Sequence, residues 1–202
     1  DYIDLYITHW QDPTTPVSET MEALQDLKRA GKIRAIGASN VSPDDLDAYV
    51  AAGGLDAIQE RFSMIDRGIE KDLLPLTRAN GISTLSYSSL ALGLLSGTIP
   101  PDREFSGDDQ RKGNPRFSVA NRNRVAGFAG AIRTVAGAHG ATIAQVVIAW
   151  TLAQPGITFA LCGARNPAQA QDNACAGTIR LSPDELSAID TAIASWLAVM
   201  DG

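Results

Sequence analysis

The sequence predicts an α/β fold on a parallel sheet, and three observations predict it. Five short apolar segments alternate with capped, amphipathic helical segments in five successive strand–helix units, and such alternation demands a parallel sheet covered by helices. Glycine, proline and short polar residues punctuate the boundaries regularly. The conspicuous polar residues lie just past the carboxyl ends of several different strands: His9, Ser39-Asn40, Gln59, Tyr87-Ser88 and Gly163-Ala164-Arg165.

The elements follow in order. "DYIDLYITHW" begins inside an alternating apolar run that ends at His9 and Trp10. Thr15-Pro16 opens the first helix, with Thr15 as N-cap and Pro16 at the first helical position. Val17, Met21, Leu24 and Leu27 form its apolar stripe, and Gly31 ends it. "KIRAIGASN" is a short buried strand and a turn. Ser42-Pro43-Asp44-Asp45 caps the next helix, which stops at Gly53-Gly54. "LDAIQERFS" is strand-like, "EKDLLPLTRAN" is helical up to Gly81, and "ISTLSYSSL" is the fourth strand. A polar loop follows, "SGTIPPDREFSGDDQRKGNPRFS", longer than ordinary connections and so either mobile or functional. Helices are expected at about Val119–His139 and Ile143–Ala153. "ITFALCGAR" is the last strand. Asn166-Pro167 caps a helix to about Ala176, and Ser182-Pro183-Asp184-Glu185 caps the terminal one.

The chain has 202 residues, enough for a single domain over residues 1–202 with a sizeable core. Its formal net charge of −6 argues against a nucleic-acid backbone or an anionic membrane as the main partner. A local basic pocket for one small anion remains compatible with it. No apolar stretch reaches the ~18 residues of a membrane span. Cys162 and Cys175 lack the spacing of a metal or redox motif. Reduced thiols in a cytoplasmic protein are the expectation.

Two architectures compete, an open doubly wound sheet and a TIM (β/α)8 barrel. The first should show Gly-x-Gly-x-x-Gly after an early strand, and none follows any strand here. Polar residues at the ends of several strands are how a barrel builds a site on one face. A closed barrel needs eight strands and five are found, so the expectation is that three strands belong to a segment before residue 1.

"DYIDLYITHW", "EALQDLKRAGKIRAIGASN", "YSSLALGLLSG" and "CGARNPAQAQDNA", in that order and with fitting spacing, resemble the aldo-keto reductase family. The similarity runs from residue 1 to about residue 195. It implies a (β/α)8 barrel that binds a nicotinamide dinucleotide without a Rossmann fold and reduces aldehydes or ketones. It also implies that the first strand here is the family's fourth and that the chain carries the last five strand–helix units. The catalytic Tyr, Asp and Lys of the family would then precede Asp1, in a missing N-terminal barrel segment. The chain alone is expected to be inactive and poorly stable or associated.

His9 sits where a strand empties into the expected site. A neutral imidazole there can donate a hydrogen bond to a carbonyl oxygen, and a strand-end histidine can equally cap a loop carbonyl. The resemblance assigns it the catalytic role. His139, before Gly140 at a helix end, is given no chemistry. Tyr87 can stack on a nicotinamide ring or fill the barrel top, and the resemblance makes it the stacking residue and not the proton donor. Ser39, Asn40 and Gln59 carry the hydroxyl and amide groups that suit a carboxamide, although Asn40 can also stabilise its own turn. Backbone N–H groups of Ser88, Leu90 and Leu92 can approach a pyrophosphate, with Gly93 and Gly97 giving clearance. Ser89 stands where the family often has Pro, and Thr98 where Lys is common. The resemblance places the adenosine end at Gly163, Arg165, Gln169, Asp172 and Asn173, with Arg165 against a 2′-phosphate. That implies NADP(H) as cofactor and a small carbonyl compound as substrate. The competing reading is a non-enzymatic barrel that binds the dinucleotide to sense redox state. Specificity is expected from Pro100–Arg116, from the residues after Ser195 and from segments outside this sequence.

Overall fold

A computed structural model describes residues 1–197; the last five residues, within the segment expected to tune specificity, lie outside the described residues. Five parallel strands pair strictly in sequence order: β1 (Ile3–Thr8), β2 (Ile33–Ser39), β3 (Ala57–Arg61), β4 (Ser83–Tyr87) and β5 (Phe159–Ala160). Every strand hydrogen-bonds to the next, in registers such as Thr8↔Ala38, Ser39↔Gln59 and Arg61↔Tyr87. A doubly wound sheet reverses its strand order at a switch point. This sheet has no reversal, so its topology fits the wall of a TIM-type barrel.

The helices are α1 (Val17–Arg29), α2 (Pro43–Ala51), α3 (Leu73–Ala79), α4 (Val119–Ala138), α5 (Ile143–Ala153), α6 (Pro167–Cys175) and α7 (Pro183–Leu197). Their boundaries follow the capping chemistry. Ser42 and Asp45 form a reciprocal capping box at the start of α2, with Pro43 at its first position. Ser182 and Glu185 do the same for α7. At the end of α1, Lys32 N–H reaches the Leu27 carbonyl and Gly31 N–H reaches that of Lys28. This paired closure needs Gly31 at its φ of +70°.

Three local expectations are corrected. The N-cap of α1 is Pro16, not Thr15, and the helix starts at Val17. Asp12 explains the shift: its carboxylate accepts from the Thr14 amide and hydroxyl and from the Thr15 hydroxyl, which removes Thr15 as a cap. The third helix starts at Leu73, where the Asp72 side chain accepts from the Leu73 amide. The residues before it form a separate 3-10 turn, Gly68–Glu70. The last strand shrinks from "ITFALCGAR" to Phe159–Ala160, because only this edge segment finds ladder partners, opposite Leu85 and Ser86 on β4.

The chain divides into two compact units. One comprises Asp1–Phe62, Arg67–Tyr87 and Gln154–Leu161; the other comprises Ser63–Asp66, Ser88–Ala153 and, among the described residues, 162–197. The first unit holds the sheet. Its core joins Met21 and Leu24 of α1, Ile33 and Ile36 of β2, Leu46 and Tyr49 of α2, Ile58 of β3 and Leu73 of α3. Leu27, the fourth member of the expected α1 stripe, is 40% exposed. The second unit is helical. Val146, Val147 and Trp150 of α5 are fully buried, as are Ile189 and Ile193 of α7. Phe128 of α4 stacks on Trp196 of α7 at 5.9 Å, and Trp150 Nε1 donates to Asp190. No helix among the described residues is long and apolar enough to cross a membrane.

Candidate functional site

In the first unit, β1 to β4 bring five of the expected residues into one hydrogen-bonded cluster. Asn40, just past β2, is its hub. Its Nδ2 donates to the His9 carbonyl at 3.0 Å and to Ser39 Oγ at 3.1 Å. Its Oδ1 accepts from the Tyr87 hydroxyl at 2.6 Å. Asn40 has a φ of +57°, a left-handed conformation that asparagine tolerates better than most residues. Ser39, 1% exposed, donates its hydroxyl to the Gln59 carbonyl at 2.7 Å. The side chains of Ser39 and Asn40 are thus spent within the protein. Of the three residues expected to face a carboxamide, Gln59 is the one whose side-chain amide stays outside these bonds.

Tyr87 is half-buried, with the Arg61 guanidinium 5.9 Å from its ring centroid, within the range of a cation–π contact. His9 and Trp10 are exposed, their ring centroids 6.0 Å apart. Below the cluster lies a residue that sequence reasoning missed. Glu60 is 5% exposed, and its Oε1 accepts from the Val41 amide at 2.8 Å. Burial outweighs its hydrogen bonds from the Val41 and Asn40 amides, and Asp45 adds to the effect; its carboxyl is pushed up to about 7.

In the second unit, the segment after β4 is wound tightly. Ser88, Ala91 and Leu92 have φ of +60°, +47° and +56°. With Asn40 they are the non-glycine residues in left-handed conformations among those described, and each such residue costs roughly 1–3 kcal/mol. The amides of Ala91, Gly93 and Leu95 bond to the carbonyls of Ser88 and Leu90. The amides of Ser88, Leu90 and Leu92 lie outside that set. Gly97, at φ +73°, has its Cα against Ile143: a Cβ there would come within 2.7 Å of Ile143 Cδ1.

The segment around α6 is shaped by its own side chains. Asn166 Oδ1 caps α6 through the Gln169 amide at 2.9 Å. Gln169 Oε1 in turn accepts from the Arg165 amide at 2.7 Å. Asn173 Nδ2 holds the Gly163 carbonyl at 3.2 Å. Asp172 is engaged by Gln145 Nε2 at 2.9 Å and does not pair with Arg165. Arg165 is exposed and forms no ion pair among the described residues. Its charge does reach Asp109 in the long loop, whose carboxyl is held below the usual range chiefly by hydrogen bonds from Arg111 and, to a lesser degree, by Arg165.

That long loop is ordered by Arg122 of α4, 7% exposed, whose Nη1 donates to the carbonyls of Pro100 and Arg103. The Phe105 ring lies near two guanidiniums, 4.6 Å from Arg111 and 5.4 Å from Arg122, and meets Phe117 edge-on at 5.5 Å. No group of His, Cys, Asp and Glu suited to a metal ion occurs among the described residues. Cys162 and Cys175 are free, and burial raises the thiol of Cys162.

A sequentially ordered parallel sheet with polar residues gathered at the strands' carboxyl ends defines a protein of the barrel-type α/β class, with its chemistry on one face. Comparison narrows that class. The family model described as "Aldo/keto reductase family" matches residues 1–194, and the chain belongs to this family. It is 40% identical over 185 residues to the NADH-specific methylglyoxal reductase of Escherichia coli (strain K12), covering 90% of this chain and 56% of that protein. It is 39% identical over 172 residues to the aldo-keto reductase YhdN of Bacillus subtilis (strain 168), covering 85% and 52%. The solved glycerol dehydrogenase of Gluconobacter oxydans superposes with a TM-score of 0.92 at 33% identity, covering 100% of this chain and 61% of that one. The chain therefore spans about half the length of the curated relatives it matches.

Proposed function

We propose that this chain supplies the last five strand–helix units of a (β/α)8 aldo-keto reductase, as one domain, and that the whole protein reduces a small aldehyde or ketone with NADP(H) in the cytoplasm. The observation that carries this reading is the Tyr87–Asn40–His9 cluster at the carboxyl ends of β4, β2 and β1. It holds an aromatic ring and an imidazole-bearing turn by direct hydrogen bonds. Family membership and the E. coli relative, a methylglyoxal reductase, support the reaction class.

The donor set fits a dinucleotide in chemistry. Gln59 offers both a carbonyl and an amide to a carboxamide. Tyr87 offers a preoriented ring face. Ser88, Leu90, Leu92 and Gly93 offer backbone to a pyrophosphate, Gly163, Gln169 and Asn173 shape the turn that presents Arg165, and Asp172 offers its carboxylate to the adenosine end. The bound cofactor supplies the hydride. His9 donates a hydrogen bond to the substrate's carbonyl oxygen and orients it, while the proton is delivered by a tyrosine carried outside these residues. The E. coli relative is named as NADH-specific, so the NADP(H) preference rests on Arg165.

The test is a titration of the intact protein with NADPH and with NADH, followed by assays with methylglyoxal and other small carbonyl compounds. Saturable binding with turnover supports the reading. Binding without turnover on any carbonyl compound favours a sensing role, and the absence of binding removes the reading altogether.

A further inference from the structure

Resting on that reading, we infer that Glu60 is a positioning residue, which sets the nicotinamide-facing cluster through the Asn40–Val41 turn. Glu60 touches neither His9 nor Tyr87 in any described contact. Its carboxylate accepts from the Val41 amide at 2.8 Å and lies near the Asn40 amide, which itself bonds to the Gln59 carbonyl at 3.2 Å. These two donors lie between the last residue of β2 and Ser42, the N-cap of α2. No strand or helix bond satisfies the Val41 donor, and a buried donor left alone costs as much as a lost hydrogen bond or more. The same turn holds Asn40 at φ +57°. In that backbone conformation Nδ2 donates to the His9 carbonyl and Oδ1 accepts from the Tyr87 hydroxyl. The chain of contacts therefore runs from Glu60 to the Val41 amide, through the peptide that joins Val41 to Asn40, and from Asn40 to Tyr87 and His9.

The placement is specific to an acid or its isostere. β3 alternates, so Gln59 and Glu60 face opposite sides of the sheet. Gln59 is half-buried, whereas Glu60 is buried on the face it shares with Ile58, which clusters with Leu46 and Tyr49 of α2. A leucine would fill that space and leave the turn without its acceptor. A glutamine would keep the acceptor and lose only the charge. The charged group whose field reaches Glu60 is Asp45 on α2, itself bonded to the amide and hydroxyl of Ser42.

The experiment uses the intact protein and two variants, Glu60→Leu and Glu60→Gln. The first arm needs no cofactor: nitrogen-15 NMR of the Val41 amide and the Asn40 side-chain amide across pH 5–9. In the wild type both resonances should move together with one midpoint near 7, where Glu60 titrates. In Glu60→Gln that midpoint should vanish while the Asn40 side-chain resonances keep their low-pH positions. In Glu60→Leu they should move toward those of a free amide. The second arm is dinucleotide binding: Glu60→Leu should weaken it about 10-fold and Glu60→Gln less than about 3-fold, and the loss should not add to that of Tyr87→Phe. Asn40 resonances that ignore both pH and substitution overturn the inference, even if Glu60→Leu fails to fold. Failure of the wild type to bind any nicotinamide dinucleotide overturns the proposed function and leaves the first arm to decide the role of Glu60.

Discussion

The Tyr87 hydroxyl donates to Asn40 Oδ1 at 2.6 Å, across 47 residues of sequence. The ring of Tyr87 is thus fixed by a side chain from two strands away, which sits in a left-handed turn. Tyr87→Phe keeps the ring and removes this bond, so folding stability should fall by about 1 kcal/mol. Tyr87→Ala removes the ring as well and should weaken dinucleotide binding by roughly 1–3 kcal/mol. Denaturant unfolding and fluorescence titration of the two variants separate the hydroxyl from the ring. Equal loss of affinity in both would assign the effect to orientation alone.

His9 contributes its carbonyl to the Asn40 side chain, while its exposed imidazole enters no hydrogen bond of the cluster. His9→Ala retains the carbonyl. It should depress kcat and leave cofactor affinity nearly intact. Steady-state kinetics beside a binding titration check this, and a variant that loses affinity instead would make His9 part of the cofactor's support.

Arg165 should set the preference for NADP(H) over NAD(H). A bidentate guanidinium–phosphate contact contributes roughly 1.5–3 kcal/mol, so Arg165→Ala should weaken NADPH binding about 10–100-fold and NADH binding much less. Asp172, engaged by Gln145, does not compete for it. Comparable shifts in both dissociation constants would leave Arg165 as a loop residue only.

Glu60 links stability to pH. Its folded value of about 7 lies above the ordinary 4.5, chiefly through desolvation. The fold therefore favours the protonated form. That contribution is full below about pH 4.5 and is lost as pH rises through 7. Glu60→Gln removes the dependence, so at pH 8 the variant should be the more stable by roughly 1–3 kcal/mol relative to the difference at pH 4.5. Urea midpoints at the two pH values measure it, and parallel changes in wild type and variant would mean that Glu60 does not titrate in this window.

Gly97→Ala should destabilise the protein by roughly 1–3 kcal/mol. The position combines a φ of +73° with a Cβ contact of 2.7 Å to Ile143 Cδ1. Gly113, also at positive φ but with open space around it, is the control and should lose less. Thermal melts of the two variants decide between backbone strain and crowding.

The strand–helix alternation was legible because capping is local chemistry. Ser42 with Asp45, Ser182 with Glu185 and Asn166 before Pro167 act within four residues of where they stand in the sequence. Phe159–Ala160 was overdrawn because an edge strand's length depends on its partner, here only Leu85 and Ser86. The α1 start slipped because Asp12, three residues upstream, takes the Thr15 hydroxyl. At the site, the exits of the strands were readable from polar residues after apolar runs. The division of labour among Ser39, Asn40 and Gln59 was not, since it depends on which side chains meet across strands. Glu60 left one signal, an acid inside a strand of a parallel sheet, where both faces are normally covered. The left-handed Ser88, Ala91 and Leu92 left none, because such conformations in ordinary residues are imposed by the surrounding chain.

Arg122 has a consequence for how such a protein diversifies. One buried guanidinium grips Pro100 and Arg103 at the start of the long loop, and Asn121, its neighbour on α4, holds Pro115 at the far end. Both ends of the excursion are moored to the same helix turn. The residues between can change in number or charge with little effect on the helices below, since doubling a loop's length costs only about 0.6 kcal/mol in closure entropy. The loop is in effect an exchangeable cassette, and a different sequence grafted between Glu104 and Asn114 should leave the scaffold beneath it as it is.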